Sequence, residues 1–347
     1  MNILAIDTSC DETAAAVTND TKILSNIIWS QASLHTKFGG VMPSLAQRMH
    51  EERIDFVIQK ALTQAKVKIE NIDAIAVTIG PGLAIALGIG IDRAKKIAEK
   101  YQKKILAINH VKAHILSPLA RPGNANNLSI TNTQLPTLGL CVSGKNTLLV
   151  KISEIEKYEI LAQTVDDALG EALDKAARML GLGYPGGAVL EKFAKLGNPK
   201  KYSLPIPMAG QEVRQIFSYS GLKTAFARLV ENEKPLTKEK IYDLAACFQD
   251  VAIKHLVRVM RYILTNNYPL IPNHFFVGGG VANNVELRKR LRNLAKEFNI
   301  AMHFPYSNKL YCDNAAMIGV SAYFKALRGE FSRLEDVDRN PNLKIDN

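Results

Sequence analysis

Two histidines four residues apart carry the sharpest chemical signal in the chain, in His110-Val111-Lys112-Ala113-His114. The i, i+4 spacing sets both imidazoles on one face of a helix, with Cβ atoms about 5–6 Å apart. That is close enough for both to ligate one metal ion. The glutamate of an HExxH motif is missing, which argues against a zinc-peptidase centre. Two solvent-facing histidines would show the same spacing, so a third ligand is needed. Asp313, in Tyr311-Cys312-Asp313-Asn314-Ala315, follows a loop and starts a small-residue helix. It can supply that ligand, although sequence alone does not bring it near the histidines.

Other residues offer weaker chemistry. Asp7, Asp11 and Glu12 cluster after the first strand. They can hold a metal or position water, and they can equally be solvated turn residues. Gly278-Gly279-Gly280 follows a strand, where backbone N–H groups can approach a phosphate or ribose without interference from a Cβ; a tight packed turn reads the same way. Gly80-Pro81-Gly82 is a second strand–turn–helix site of that kind. Ser143-Gly144-Lys145-Asn146 is a hairpin tip that can hold phosphate, with Lys145 adding charge, although a plain exposed hairpin loop is the commoner case. Asp167, Glu171 and Asp174 share one helix face. Arg288, Lys289, Arg290, Arg292 and Lys296 can meet RNA phosphate, although an exposed helix face gives such a run too.

The elements that must position these residues alternate between strand and helix. Ile3–Ile6 and Ala14–Val17 form a hairpin with an acidic tip. A helix from Pro43-Ser44 to Ala65, a strand Ala74–Ile79, a helix Leu83–Tyr101, a strand Ile105–Ile108 and a short helix His110–Leu119 follow. The order then repeats: strands Leu138–Val142 and Leu148–Ile152, a helix Asp167–Leu180, and a strand Phe275–Val277 running into the triple glycine and a helix from Val285. The echo predicts an α/β protein of two related lobes around a cleft. The first lobe covers 1–117, completed by 314–328. The second covers 137–313. Residues 118–136, rich in Asn, Pro and Gly, read as the connection between them, and 329–347 as a flexible tail.

Composition sets the frame. A length of 347 residues allows about two domains. With 47% hydrophobic and 22% charged residues, the chain is neither disordered nor collagen-like. The net charge of +11 suits a polyanionic partner and equally a generally basic, Lys-rich proteome. Cys10, Cys141, Cys247 and Cys312 form no CxxC pair, so neither a disulfide framework nor a zinc ribbon is expected. The start MNILAIDTSCDET does not read as a signal peptide. The longest apolar stretch, Gly82–Ile91, is too short to span a bilayer. A cytoplasmic protein is expected.

An ordered series of motifs resembles one family. It comprises Asp7-Thr8-Ser9-Cys10-Asp11-Glu12-Thr13, Gly39-Gly40-Val41-Met42-Pro43-Ser44-Leu45-Ala46, Gly80-Pro81-Gly82-Leu83 and Asn109-His110 with His114. It continues through the stretch from Asp166 to Lys175, Gly181-Leu182-Gly183-Tyr184-Pro185-Gly186-Gly187 and Phe217-Ser218-Tyr219-Ser220-Gly221-Leu222-Lys223-Thr224. Gly279-Gly280-Val281-Ala282-Asn283-Asn284 and Cys312-Asp313-Asn314-Ala315-Ala316-Met317 complete it. In this order, over nearly the whole chain, the series resembles the TsaD family, whose archaeal and eukaryotic counterparts are the KEOPS catalytic subunits.

The resemblance implies the actin/sugar-kinase/Hsp70-like (ribonuclease H-like) fold. It implies transfer of a threonylcarbamoyl group from threonylcarbamoyl-AMP to N6 of adenosine 37 in tRNAs reading codons that begin with A. It also implies one divalent metal ion on His110, His114 and Asp313, iron(II) in the first place, with zinc or magnesium as alternatives. Asp11 and Glu12 would stand near the chemistry. Substrate nucleotide would meet Cys141, Val142, Ser143, Gly144, Lys145, Asp174, Gly187, Glu191 and Asn284, and ATP or ADP could enter the cleft. Partners would be tRNA and TsaB-like and TsaE-like proteins, with no membrane. Three departures stand out: Lys145-Asn146 where the family has Gly-His, Lys112-Ala113 where bacterial members have Glu-Gly, and Glu191 in place of an aspartate. A non-catalytic scaffold subunit and a metallopeptidase remain the rival readings, with a sugar or acetate kinase behind them.

Overall fold

A computed structural model describes residues 1–125, 135–267 and 272–346. The chain divides into two compact units, Met1–Thr133 with Phe304–Asn347, and Gln134–His303.

The sheet of the first unit contains β1 (Asn2–Asp7), β2 (Glu12–Asn19), β3 (Lys22–Ser30), β4 (Ala74–Gly80), β5 (Lys104–Asn109) and β6 (Arg121–Pro122), in the order β5-β4-β1-β2-β3-β6. β1, β2 and β3 make an antiparallel meander, and β4 and β5 extend it in parallel from β1. Ile3 to Asp7 are buried without alternation, as expected of a strand covered on both faces. On one face Leu4, Ile6, Ala15 and Val17 pack with Ile54, Val57, Ile58 and Ala61 of the helix Pro43–Ala65, and with Leu87 and Ile91 of the helix Ala84–Lys100. The helix Ala315–Leu327 also packs on this sheet. A Cβ on its Gly319 would stand 2.6 Å from Thr18, whose side chain points to the face opposite Val17. Only a glycine lets helix and sheet come this close.

The second unit repeats the plan. β7 (Thr137–Val142), β8 (Thr147–Glu154), β9 (Lys157–Thr164), β10 (Ile216–Phe217), β11 (His274–Gly278) and β12 (Ala301–His303) form a sheet in the order β10-β9-β8-β7-β11-β12. Again an antiparallel meander, β7 to β9, is extended by two parallel strands beside its first member. The expected duplication is therefore a duplication of topology. β3 and β9, the third strands of the meanders, are not legible in the sequence. In β3 the polar Lys22, Ser25, Asn26 and Ser30 interrupt the apolar residues, and most of the strand is only half-buried. Period-two patterning is weak in such a strand.

Three expectations about chain organisation need correcting. The boundary expected after Asp313 lies ten residues earlier, at His303/Phe304. Asp313 therefore belongs to the first unit, because Ala315–Leu327 packs on the first sheet and carries the preceding loop with it. Of the segment 329–347, expected to be loose, the described residues 329–346 are held in place: Val337 and Ile345 are buried. Its backbone is also tied down, with Ser332 N donating to Ile105 O and Asn340 N to Ile79 O. Of the expected connection 118–136, Arg121–Pro122 pairs with β3, and 126–134 lie outside the described residues. Cys10, Cys141, Cys247 and Cys312 form no disulfide among the described residues. No helix among the described residues is long and apolar enough to cross a membrane.

Candidate functional site

β5 ends at Asn109, and the helix His110–Leu116 starts on the next residue. Asn109 is its N-cap, with Oδ1 accepting from Val111 N at 2.9 Å and Lys112 N at 3.1 Å. The helix is buried throughout. His110 and His114 sit on one face with ring centroids 4.6 Å apart and planes at 83°. Asp313 arrives from a loop that Asn314 holds on both sides. Asn314 Oδ1 caps the helix Ala315–Leu327 through Met317 N at 3.1 Å, and its Nδ2 donates to Cys312 O at 2.7 Å. Asp313 Oδ1 lies 3.3 Å from His110 Nε2 and 3.1 Å from His114 Nε2. One ligand atom from each of the three residues falls within 4.8 Å of the others.

The electrostatics of the group are those of crowded, buried charge. Burial is the largest influence on His110 and opposes its proton, but Asp313 and Asp7 together outweigh it and raise its pKa to about 10. Burial, joined by repulsion from His110, lowers that of His114 despite Asp313. Burial works against the Asp313 carboxylate, yet His110 and His114 hold it well below the usual range. Glu12 is pushed well up by burial, then by Asp313 and Asp11.

These residues suit a divalent metal. Both Nε2 atoms face the same carboxylate oxygen, and two imidazoles with one carboxylate are a common donor set for zinc and first-row transition metals. With a metal on Nε2, the remaining ring proton of His110 would sit on Nδ1, which is buried without a hydrogen-bond partner. It faces Asp7 Oδ1, equally unpartnered, at 3.6 Å. Metal-bound histidines typically have such a carboxylate behind them. Asp7 stands where such a supporting carboxylate would. Asp11 and Glu12 are not among the ligand group. Glu12 accepts from Ser30 Oγ at 3.0 Å and acts on Asp313 through space. His50 steadies the acidic tip, with Nδ1 2.8 Å from Thr13 Oγ1 and Nε2 3.1 Å from Cys10 O. Nothing in its sequence context singles it out.

The turn Gly80-Pro81-Gly82 is not a free phosphate site. Gly82 N donates to Pro341 O and Leu83 N to Ser9 O, and a Cβ on Gly80 would collide with the Asn340 carbonyl. Its glycines accommodate neighbouring backbone instead.

The remaining predicted residues lie in the second unit. Ser143 N donates to Asn146 O at 2.8 Å and Asn146 N to Ser143 Oγ at 3.1 Å, so the tip closes as a turn despite Lys145-Asn146. Cys141 and Val142 are buried, leaving mainly their backbone to contact a ligand. A Cβ on Gly279, whose φ is +93°, would collide with the Val142 carbonyl. Asp174, in the helix Leu169–Met179, accepts from Gly186 N at 2.9 Å and Gly187 N at 2.7 Å. Glu191 accepts from Val285 N at 3.0 Å. Asn284 caps the helix Val285–Glu297 through Leu287 N at 3.0 Å and donates to Gln249 Oε1 at 2.8 Å. Much of its side-chain capacity is thus already engaged. Asp174 and Gly187 touch, while Glu191 and Asn284 meet at the same helix start.

The acidic helix face divides by partner. Asp167 pairs with Lys175 at 2.6 Å and Lys223 at 2.7 Å, and Glu171 pairs with Lys175 at 2.8 Å. In the basic run, Arg290 is held by Glu286 and Asp250, which leaves it less available for a phosphate.

A family model described as TsaD, tRNA N6-adenosine threonylcarbamoyltransferase, matches residues 22–320. A protein of that description from Clostridium kluyveri is 41% identical over 350 residues, covering 99% of this chain and 98% of its own. One from Bartonella tribocorum is 40% identical, covering 98% and 94%. Among solved structures, HypF from T. kodakarensis aligns with a TM-score of 0.60 at 14% identity, over 95% of this chain and 48% of its own. Component A of the (R)-2-hydroxyglutaryl-CoA dehydratase of Acidaminococcus fermentans aligns at 0.53 and 15%, over 94% and 99%. At such identities these two structures speak for the fold alone, the duplicated α/β class of actin and the sugar kinases. The match over most of the chain and the 41% identity over its full length show that the chain belongs to the TsaD family of tRNA N6-adenosine threonylcarbamoyltransferases.

Proposed function

We propose that this protein transfers the threonylcarbamoyl group from threonylcarbamoyl-AMP to N6 of adenosine 37 in tRNAs that read codons beginning with A. The observation that carries this reading is kinship over 99% of the chain with relatives of that name. The grouping of His110, His114 and Asp313 within 4.8 Å supports it.

In the reaction, N6 bonds to the carbamoyl carbon and the bond from that carbon to the phosphate oxygen breaks. AMP leaves with the electron pair, and N6 loses one proton. N6 is a weak nucleophile because its lone pair is delocalised into the ring. Holding both reactants in line is therefore a large part of the catalysis, worth roughly 7–11 kcal/mol in well-oriented systems. His110, His114 and Asp313 would hold the metal, iron(II) first with zinc or magnesium as alternatives; when bound it supplies Lewis-acid polarisation of a carbamoyl or phosphate oxygen. Asp7 orients His110. The backbone of Val142–Gly144 and the turn at Gly279 would receive the nucleotide, with Asp174 fixing Gly187 beside it. The +11 surplus suits tRNA. TsaB-like and TsaE-like partners, ATP or ADP as a further ligand, and a cytoplasmic setting complete the reading.

The test mixes protein, threonylcarbamoyl-AMP and tRNA, adds the partner proteins one at a time, and looks for the modified nucleoside after tRNA digestion. We expect product with wild type and its loss in His110→Ala and Asp313→Ala. No product with any partner combination would overturn the assignment. Unchanged product in both variants would remove the metal from it.

A further inference from the structure

The C-terminal segment crosses the ends of β4 and β5, and one side chain joins it to the histidine helix. Asn340 N donates to Ile79 O at 2.7 Å and Gly82 N to Pro341 O at 3.1 Å, which binds the segment to the end of β4 and the turn after it. Gly80 has no Cβ to keep the Asn340 carbonyl away. Four residues further on, Lys344 O accepts from Asn109 Nδ2 at 2.9 Å. Ile345, next in the chain, is buried and anchors the strap at that end.

Asn109 is therefore held at both ends of its amide. Its Oδ1 takes the N–H groups of Val111 and Lys112, and its Nδ2 is held by the strap. Three contacts fix the plane of a side chain that precedes His110 directly. A serine or aspartate would cap the helix equally well, so capping alone does not call for an amide. The second function of the amide is the bond to Lys344.

We propose that Asn109 is a positioning residue of the metal centre, and that the strap Asn340–Ile345 sets the register of the histidine helix through it. The proposal rests on the reading of His110, His114 and Asp313 as metal ligands. The helix is only seven residues long and carries ligands at its first and fifth positions, so its register decides whether both rings meet one carboxylate. The strap supplies an outside reference. It is itself bonded to β4, the strand beside β5.

The experiment uses zinc(II) as a redox-inert probe, competed against a chromophoric chelator on the full chain. Asn109→Ser keeps the cap and loses the bond to Lys344, while Ile345→Ser loosens the strap and leaves Asn109 intact. Each single variant should weaken zinc binding about tenfold, the scale found for outer-shell partners. The double variant should be no weaker than either single one, because both break the same connection. Thermal unfolding of the metal-free proteins identifies any variant that fails to fold, in which case the other carries the test. Wild-type affinity in the folded variants, or effects that add, would overturn the strap's role. His114→Ala controls for the site itself: zinc binding equal to wild type there would overturn the metal reading, and the strap's role with it.

Discussion

Asp7 Oδ1 stands 3.6 Å from His110 Nδ1, and both atoms are buried without a hydrogen-bond partner. The first strand thus places a carboxylate behind a histidine more than 100 positions away in the chain. A closer approach would give the carboxylate–histidine pair that supports many metal sites. Asp7→Asn keeps the shape and removes the charge. It should weaken metal binding by about 10–100-fold, read by chelator competition. The fold should survive, because the asparagine side chain fills the same volume and its Oδ1 can still accept from His110 Nδ1. Wild-type affinity in this variant would show that Asp7 does not act on His110.

Gly170 and Gly221 make a pair of opposite sign. Both lie in helices, where Gly→Ala ordinarily gains about 1 kcal/mol. Gly221 has open space around it, so Gly221→Ala should stabilise the protein by up to about that amount. A Cβ on Gly170 would instead collide with the Ser143 carbonyl. Gly170→Ala should cost about 1–3 kcal/mol through overpacking and raise the KM for threonylcarbamoyl-AMP by displacing the hairpin tip. Urea titration with steady-state kinetics checks both; a stabilised Gly170→Ala variant would show that the contact yields freely.

Asp174 offers a graded test at the Gly186-Gly187 turn. Asp174→Asn keeps an acceptor for the two backbone N–H groups, and Asp174→Ala leaves both unpaired. The alanine variant should lose about 1–3 kcal/mol and the asparagine variant less. The comparison is between their unfolding midpoints, and equal losses would show that the two N–H bonds do not decide the turn.

His255 predicts a pH dependence independent of any metal. Burial outweighs the Pro207 carbonyl and Asp166 and pushes its pKa down to about 4. Its Nε2 accepts from Ser218 N at 3.1 Å, which requires the neutral ring. The unfolded chain takes up this proton near pH 6.5, whereas the folded chain refuses it until about pH 4. Stability is therefore lost as pH falls from about 6.5 to 4 and is unaffected by this group above that window. The full loss is about 3 kcal/mol, at about 1.4 kcal/mol per pKa unit. His255→Gln keeps an acceptor without the titration, so its stability should fall less steeply across the window. Parallel pH profiles for the two proteins would rule His255 out as the cause.

What the sequence by itself determined is local. The i, i+4 histidines, the glycine turns after strands and the repeated order of strands and helices all follow from spacing and residue type. The family, too, was legible in the order of its motifs. The third strands β3 and β9 were not, because a half-buried strand with polar residues has little period to read. Tertiary structure decided which distant residues share a place. Asp313 joins His110 and His114 because the helix after it packs on the first sheet, not because of anything near it in the chain. The C-terminal segment, charged and without pattern, is ordered by backbone hydrogen bonds, which leave no mark on residue type. The same bonds account for Gly80-Pro81-Gly82: the spacing allows a phosphate site, and the neighbouring backbone fills it.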